Sequence, residues 1–205
     1  MIYPIPPKNQ PGKEFCAYWD NFLSPDQINQ ILAFPEWIDL RPGEVGGQVK
    51  DPDGNRVHEE IRSSRIQWLN RDERTEELWR TLSDVIADVN NQFFHFDLSG
   101  MYEPMQLSMY SANETTQGHY TWHSDMSMGD TRTPRKLSMS LLLSDPSEFE
   151  GGDLQVKTDS DEAITLEATK GRAWFFPSWA LHRVTPVTKG VRRSLVIWVG
   201  GPPFK

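Results

Sequence analysis

The sequence predicts a mainly β protein: a barrel or double-sheet jelly roll, with helices packed outside one sheet. Three observations carry this. After Gly100 the chain breaks into eight short strand-like runs parted by turn residues. Before Gly100 lie two helix signals, and helices first with strands after fits helices covering one sheet. The 205 residues are enough for one domain with a sizeable core.

The opening, through Gly12, reads as an irregular or edge segment, because Pro4, Pro6 and Pro7 lack backbone donors. Ser24-Pro25-Asp26 is a helix start: a capping hydroxyl, proline at the first helical position, then an acid. That helix covers residues 25–33 and stops near Pro35. Residues 41–57 (RPGEVGGQVKDPDGNRV) read as a long loop or hairpin. A second helix is signalled over residues 74–93, where Leu78, Leu82, Val85, Ile86 and Val89 recur at three and four. The strand-like runs follow at 105–110, 120–122, 137–143, 154–157, 163–167, 173–176, 182–185 and 194–199. Gly151-Gly152, Asp159 to Asp161, Gly171, Pro177 and Gly190 separate most of them. Residues 1–205 are taken as one domain, with helical support and a loop region in 1–100 and a β core in 101–200.

The net charge of −8 argues against nucleic acid as a direct partner, since no basic stripe is available for a phosphate backbone. Cys16 is the only cysteine, so no intrachain disulfide forms. No apolar run is long enough to span a bilayer, and Met1 to Gln10 lacks the apolar stretch of a signal peptide. The expectation is a soluble, cytoplasmic protein with no membrane partner.

One constellation points to chemistry: His123-Ser124-Asp125, then His182, then Arg192 ten positions later (192 − 182). Two histidines and one carboxylate can occupy one face of an iron(II) ion and leave the opposite positions open, as oxygen chemistry requires. An arginine suits a carboxylate held by two parallel hydrogen bonds. The histidine-x-acid pattern alone is weak, because it occurs three times: at His58, His95 and His123. His58 follows the Gly/Pro-rich loop, a poor platform for a precise site. His95 closes the second helix among phenylalanines, where the helix dipole favours it. His123 sits on or beside a strand, and in an extended chain His123 and Asp125 point to the same side. His119 and His123 have the spacing of a helical zinc pair, but their surroundings suit a helix interior poorly. His182 by itself reads more often as an ordinary strand-end histidine, and its surroundings, FFPSW (175–179) before it and RVTPV (183–187) after it, raise it as a ligand. If the last strand is regular, Arg192, Ser194, Val196 and Trp198 share a face. On spacing alone Arg192 could instead point to water, with Arg193 equally eligible.

Beyond these spacings the chain resembles a family. The matching pieces are QLSMY (106–110), YTWHSD (120–125), RKLS (135–138), LLSDP (142–146), EGGDL (150–154), residues 171–178, and HRVTPVTKG (182–190) with Arg192. In that order, and with 59 residues between the first and distal histidines (182 − 123), they resemble the iron(II)/2-oxoglutarate-dependent dioxygenases. The branch is the prolyl 4-hydroxylase-like one, including its PKHD-type members. The run Arg62-Ser63-Ser64-Arg65 and the long helix resemble it more weakly.

The resemblance implies a double-stranded β-helix (jelly roll) braced by N-terminal helices. It makes His123, Asp125 and His182 the catalytic iron ligands and Arg192 the anchor for the far carboxylate of 2-oxoglutarate. Tyr110 and Trp198 match pocket residues. Some relatives carry a tyrosine on the strand at 137–143; here Ser138, Ser140 and Leu142 share that face, which leaves Ser140 as a candidate substitute. Also implied are O2 as co-substrate, ascorbate as reductant, and hydroxylation of an unactivated C–H bond coupled to decarboxylation of 2-oxoglutarate to succinate. The implied partner is a proline-containing peptide or protein. Residues 41–57 and 126–133 are candidates for loops facing it. Other readings stay open: hydroxylation of a free amino acid or small molecule, and a non-catalytic metal-binding jelly roll. A hydrolytic zinc enzyme leaves Arg192 and EGGDL unexplained.

Overall fold

The computed structural model describes residues 15–45, 57–113, 115–126, 133–158 and 162–203. The strands are β1 (Ala17–Trp19), β2 (Arg41–Pro42), β3 (Arg62–Ser63), β4 (Arg65–Leu69), β5 (Met105–Ser111), β6 (His119–His123) and β7 (Arg135–Leu142). They continue with β8 (Phe149–Gly151), β9 (Leu154–Lys157), β10 (Ala163–Leu166), β11 (Ala173–Pro177), β12 (His182–Val184) and β13 (Val187–Gly200). The helices are α1 (Pro25–Leu32) and α2 (Glu76–Val89). The larger sheet runs β1-β11-β7-β13-β5-β4-β2, with β8 also paired to β13; the smaller runs β10-β9-β12-β6-β3. The strand pairs are antiparallel.

The two faces of the larger sheet have opposite chemistry. One carries Leu107, Leu137, Met139, Leu141, Phe175, Leu195 and Ile197, buried against Leu78, Leu82, Val85, Ile86 and Val89 of α2 and Ile28 and Ile31 of α1. Side chains alternate along a strand, so the intervening residues face the smaller sheet. These are Gln106, Ser108, Ser138, Ser140, Arg192 and Ser194, all buried and polar. The pairings Tyr110↔Arg192, Ser108↔Ser194, Ser140↔Val196 and Ser138↔Trp198 set them side by side. The apolar face holds the helices, and the polar face lines the space between the sheets.

The helices follow their signals with shorter ends. Ser24 and Gln27 form a reciprocal cap on α1. A 3-10 turn at Pro35–Trp37 follows, in keeping with the stop signal at Pro35. Helix α2 starts at Glu76, two residues later than the periodicity suggests, because Arg74 is engaged with Glu36 and Asp72. It ends at Val89, where a π turn, Asn90–Phe94, closes on His95 in the left-handed region (φ 54°). His95 is therefore a helix-end residue, as its position suggests.

Two differences matter for the site. The N-terminal hundred residues also supply strands: β3 joins the smaller sheet and β4 the larger. The sequence RIQWL of β4 is too short for its alternation to stand out. The last strand spans fourteen residues, not the six of 194–199. Gly190, which reads as a turn, instead lies within β13 at φ 75°, opposite Phe149 of β8. A β-carbon there would lie 1.9 Å from the Glu148 carbonyl oxygen, so only glycine fits. The greater part of the loop at 41–57 and residues 127–132 of the loop at 126–133 lie outside the described residues.

Leu82 is fully buried where α2 meets the sheet. Leu82→Ala is expected to lower unfolding free energy by about 2–5 kcal/mol, as read by urea denaturation.

Candidate metal centre

Strands β6 and β12 lie side by side in the smaller sheet, and His182 pairs directly with His123. One nitrogen from each histidine and one oxygen of Asp125 lie within 4.8 Å of one another. Asp125 falls just past the end of β6, where its backbone N–H donates to the Ser178 carbonyl at 2.9 Å. The remaining histidines stand apart. His119 bonds to the carbonyls of Gln117 and Glu60, and His58 contacts Glu60.

Both site histidines are oriented in the same way. The Nδ1 of His123 lies 2.8 Å from the Thr121 carbonyl, and the Nδ1 of His182 lies 3.0 Å from that of Ala180. A carbonyl only accepts, so each Nδ1 carries the proton and each Nε2 is free to ligate. Nε2 of His182 is 3.3 Å from Asp125 Oδ2, and Nε2 of His123 is 3.8 Å from Oδ1. Tyr120 stacks on the His123 ring at 3.5 Å and 14°, and Phe176 packs on His182 at 4.7 Å.

The charges interact strongly. Burial and the neighbouring His182 hold the His123 pKa down to about 3, which keeps that ring neutral and ready to bind a cation. Burial opposes the charge of Asp125, but His182 and His123 outweigh it and hold the carboxyl below its usual range. Burial likewise opposes protonation of His182, and Asp125 reverses the effect and raises it. The donor set of two imidazoles and one carboxylate fits iron(II).

Ser138 and Ser178 complete the support. Ser138 Oγ donates to Asp125 Oδ2 at 2.8 Å and lies 2.9 Å from Ser178 Oγ. Ser178 is tied in turn to the β7 backbone through its N–H and the Lys136 carbonyl. The Ser138 hydroxyl thus fixes the carboxylate through Oδ2. Sequence reasoning placed Ser138 on the right face without assigning it a role, and it missed Ser178 and Tyr120. A small hydroxyl beside a buried carboxylate leaves no periodic signal.

Arg192 lies on the same interior face, 4% exposed, while Arg193 points the other way over Trp37. Nη1 of Arg192 donates to Ser194 Oγ at 3.1 Å, and its guanidinium sits 5.6 Å from the Tyr110 ring centroid. It makes no ion pair among the described residues, and burial weakens its hold on its proton. Ser140, Leu154, Trp174 and Arg192 border a small cavity of about 20 Å3. Gly152 adjoins it at φ 67°, and a β-carbon there would come within 3.1 Å of Arg192 Cδ. The second glycine of EGGDL therefore makes room for the guanidinium. The indole N–H of Trp198 is buried near the Asp125 carboxylate and helps to hold it ionised. Arg135 lies 3.9 Å over its ring and is held by Glu103. A buried guanidinium with no ion pair among the described residues fits a space that receives an anionic, hydrogen-bonding ligand.

Known proteins share these features. The model of the 2OG-Fe(II) oxygenase superfamily matches residues 105–200. A PKHD-type hydroxylase, YbiX of Escherichia coli O8, is 31% identical over 97% of this chain and 78% of its own length. A PKHD-type hydroxylase of Colwellia psychrerythraea is 26% identical over 86% of this chain and 74% of its own. Among solved structures, a Pseudomonas putida prolyl-4-hydroxylase superposes with a TM-score of 0.67 at 19% identity, covering 93% of this chain and 95% of that one. A Trichoplax adhaerens prolyl hydroxylase, in complex with a hypoxia inducible factor peptide, gives 0.71 at 17% identity, covering 92% and 84%. At such identities these two likenesses bear on the fold alone, and the fold is the jelly roll.

Ser138→Ala removes the hydroxyl that holds Asp125 while leaving all three ligands. Divalent metal affinity, titrated with cobalt(II), is expected to fall about 10–100-fold, with the circular dichroism spectrum unchanged.

Proposed function

Because the chain belongs to the 2OG-Fe(II) oxygenase superfamily and is related to its PKHD-type hydroxylases, we propose that it hydroxylates a prolyl residue of a peptide or protein. His123, Asp125 and His182 are the proposed iron ligands, and Arg192 is the proposed anchor for the distal carboxylate of 2-oxoglutarate. When bound, iron(II), 2-oxoglutarate and O2 supply the oxidising chemistry, with succinate and carbon dioxide released as the substrate C–H bond is hydroxylated. Ascorbate as a reductant belongs to the same proposal. The single observation that carries it is the buried His123–Asp125–His182 cluster, sharing one interior with a guanidinium that has no acid of its own.

Each proposed role rests on what the side chains do. The histidines present Nε2 because their Nδ1 protons are committed to backbone carbonyls. Asp125 keeps its orientation through Ser138. Arg192 offers a planar fork whose charge is unscreened by water, and Ser194 fixes one of its arms. Ser140 borders the same cavity, while the hydroxyl partner of Arg192 is Ser194. Tyr110, buried beside the guanidinium, closes the pocket wall. The ring of Trp198, with Trp68 tilted against it at 6.0 Å, forms an apolar and aromatic flank suited to a proline ring. No helix among the described residues is long and apolar enough to cross a membrane.

Succinate formation from 2-oxoglutarate under air with iron(II) tests the proposal. A proline-containing peptide is expected to stimulate it, and Asp125→Ala to abolish it. Turnover that no proline peptide stimulates would redirect the search to small-molecule substrates. No turnover with metal binding intact would leave a non-catalytic metal-binding module. In Arg192→Ala the 2-oxoglutarate concentration needed is expected to rise at least tenfold, in keeping with charge-assisted hydrogen bonds of about 1.5–3 kcal/mol each, while iron affinity is retained.

A further inference from the structure

Arg62, on β3, is a second buried arginine with no ion-paired acid among the described residues. It is 6% exposed. Its Nε donates to Ser64 Oγ at 2.8 Å and its Nη1 to the Glu44 carbonyl at 3.0 Å, so both acceptors are neutral. Nη2 has no partner among the described residues. Arg71, Arg74, Arg135 and Arg172 all rest on carboxylates, and Arg71 and Arg74 are far more exposed. A guanidinium does not give up its proton to escape burial. A largely buried guanidinium whose polar acceptors are all neutral, with one nitrogen left without a partner among the described residues, favours binding of an anion.

The surroundings are suited to one. Arg62 lines a cavity of about 210 Å3 together with Ser63, Ser64, Arg65, Ser111 and Asn113. Oδ1 of Asn113 already accepts from the backbone N–H groups of Thr115 and Thr116, which leaves its amide N–H groups to donate. Arg65 spends one nitrogen on the Leu40 carbonyl and keeps the rest of its fork. Glu59 is the one acid among the residues lining the cavity. Among the described lining residues two guanidinium groups thus face one carboxylate. The cavity is also linked to the metal centre. The Arg62 guanidinium lies 4.6 Å over the Tyr120 ring, whose plane is stacked against His123.

We propose that this cavity is an oxyanion site, distinct from Arg192, that takes a carboxylate or phosphate group with Arg62 as its main ligand. The anion belongs either to an acidic group on the substrate or to a free small molecule.

The test is an NMR titration of the arginine Nε–H signals with inorganic sulfate, at constant ionic strength. The full chain is first loaded with zinc(II) and 2-oxoglutarate, so that Arg192 is already occupied. Saturable sulfate binding is expected, weakened about tenfold or more in Arg62→Gln and less in Arg62→Lys, with zinc and 2-oxoglutarate affinity unchanged. A proline peptide carrying Glu that displaces sulfate, when its Gln counterpart does not, assigns the anion to the substrate. Sulfate binding that neither peptide disturbs assigns it to a free anion. Absence of saturable binding in the unmodified protein, or equal binding in a folded Arg62→Gln, overturns the site. If Arg62→Gln does not fold, Arg65→Gln decides, because Arg65 is exposed: unchanged sulfate affinity there overturns the site, and weakened affinity supports it.

Discussion

The charges between the two sheets have no bulk water, and the interior is arranged around that constraint. Asp125 and His182 are almost fully buried, and Arg192 lies in the same interior. Each must be compensated by a neighbour, because a bare buried ion is costly. Asp125 is balanced by two imidazoles and one hydroxyl. The polar rows of β5, β7 and β13 serve this purpose, for Gln106, Ser108, Ser138, Ser140 and Ser194 contribute dipoles where a stable core would place methyl groups. Stability comes from the opposite face of the same sheet, where α1 and α2 cover a continuous apolar layer. One sheet thus separates the two demands, with packing on one side and chemistry on the other.

Compensation is complete for the carboxylate and incomplete for the guanidinium groups. In the cluster of His123, Asp125 and His182 one ligand atom of each residue lies within 4.8 Å of the others, within reach of a single cation. Arg192 and Arg62 have hydroxyl and carbonyl acceptors but no carboxylate among the described residues. The interior therefore carries a standing positive bias on both sides of the ligand cluster. Such a bias favours anions entering the space between the sheets, and the negative overall charge does not cancel it at short range.

Much of this was legible in the sequence, for reasons that differ by element. The helix at α2 announced itself because one face is apolar at helical spacing over fourteen residues. The strands of the second half were delimited by glycines and prolines. Strand alternation placed Arg192 and Trp198 on one face before any register was known, and β13 bears this out. The first half was less legible. Strand β4 is five residues long, and β3 only two, so each is set by its neighbours in the sheet and not by its own pattern. The extent of β13 was hidden by Gly190, whose left-handed conformation resembles a turn until β8 is seen beside it. In the centre itself the charged ligands stood out, whereas Ser138, Ser178 and Tyr120 did not, because their roles exist only through contacts distant in sequence.

Strand β13 carries a consequence for inheritance. It is hydrogen-bonded on one side to β5 and on the other to β7, and its side chains alternate between the apolar layer and the polar interior. A change of one residue in its length would exchange the two faces, bringing Arg193 inward in place of Arg192 and turning Trp198 toward the helices. Substitutions there alter single contacts, but an insertion or deletion would remove both ends of the cleft together. Changes of length are therefore expected to be tolerated at the turns and not within this strand.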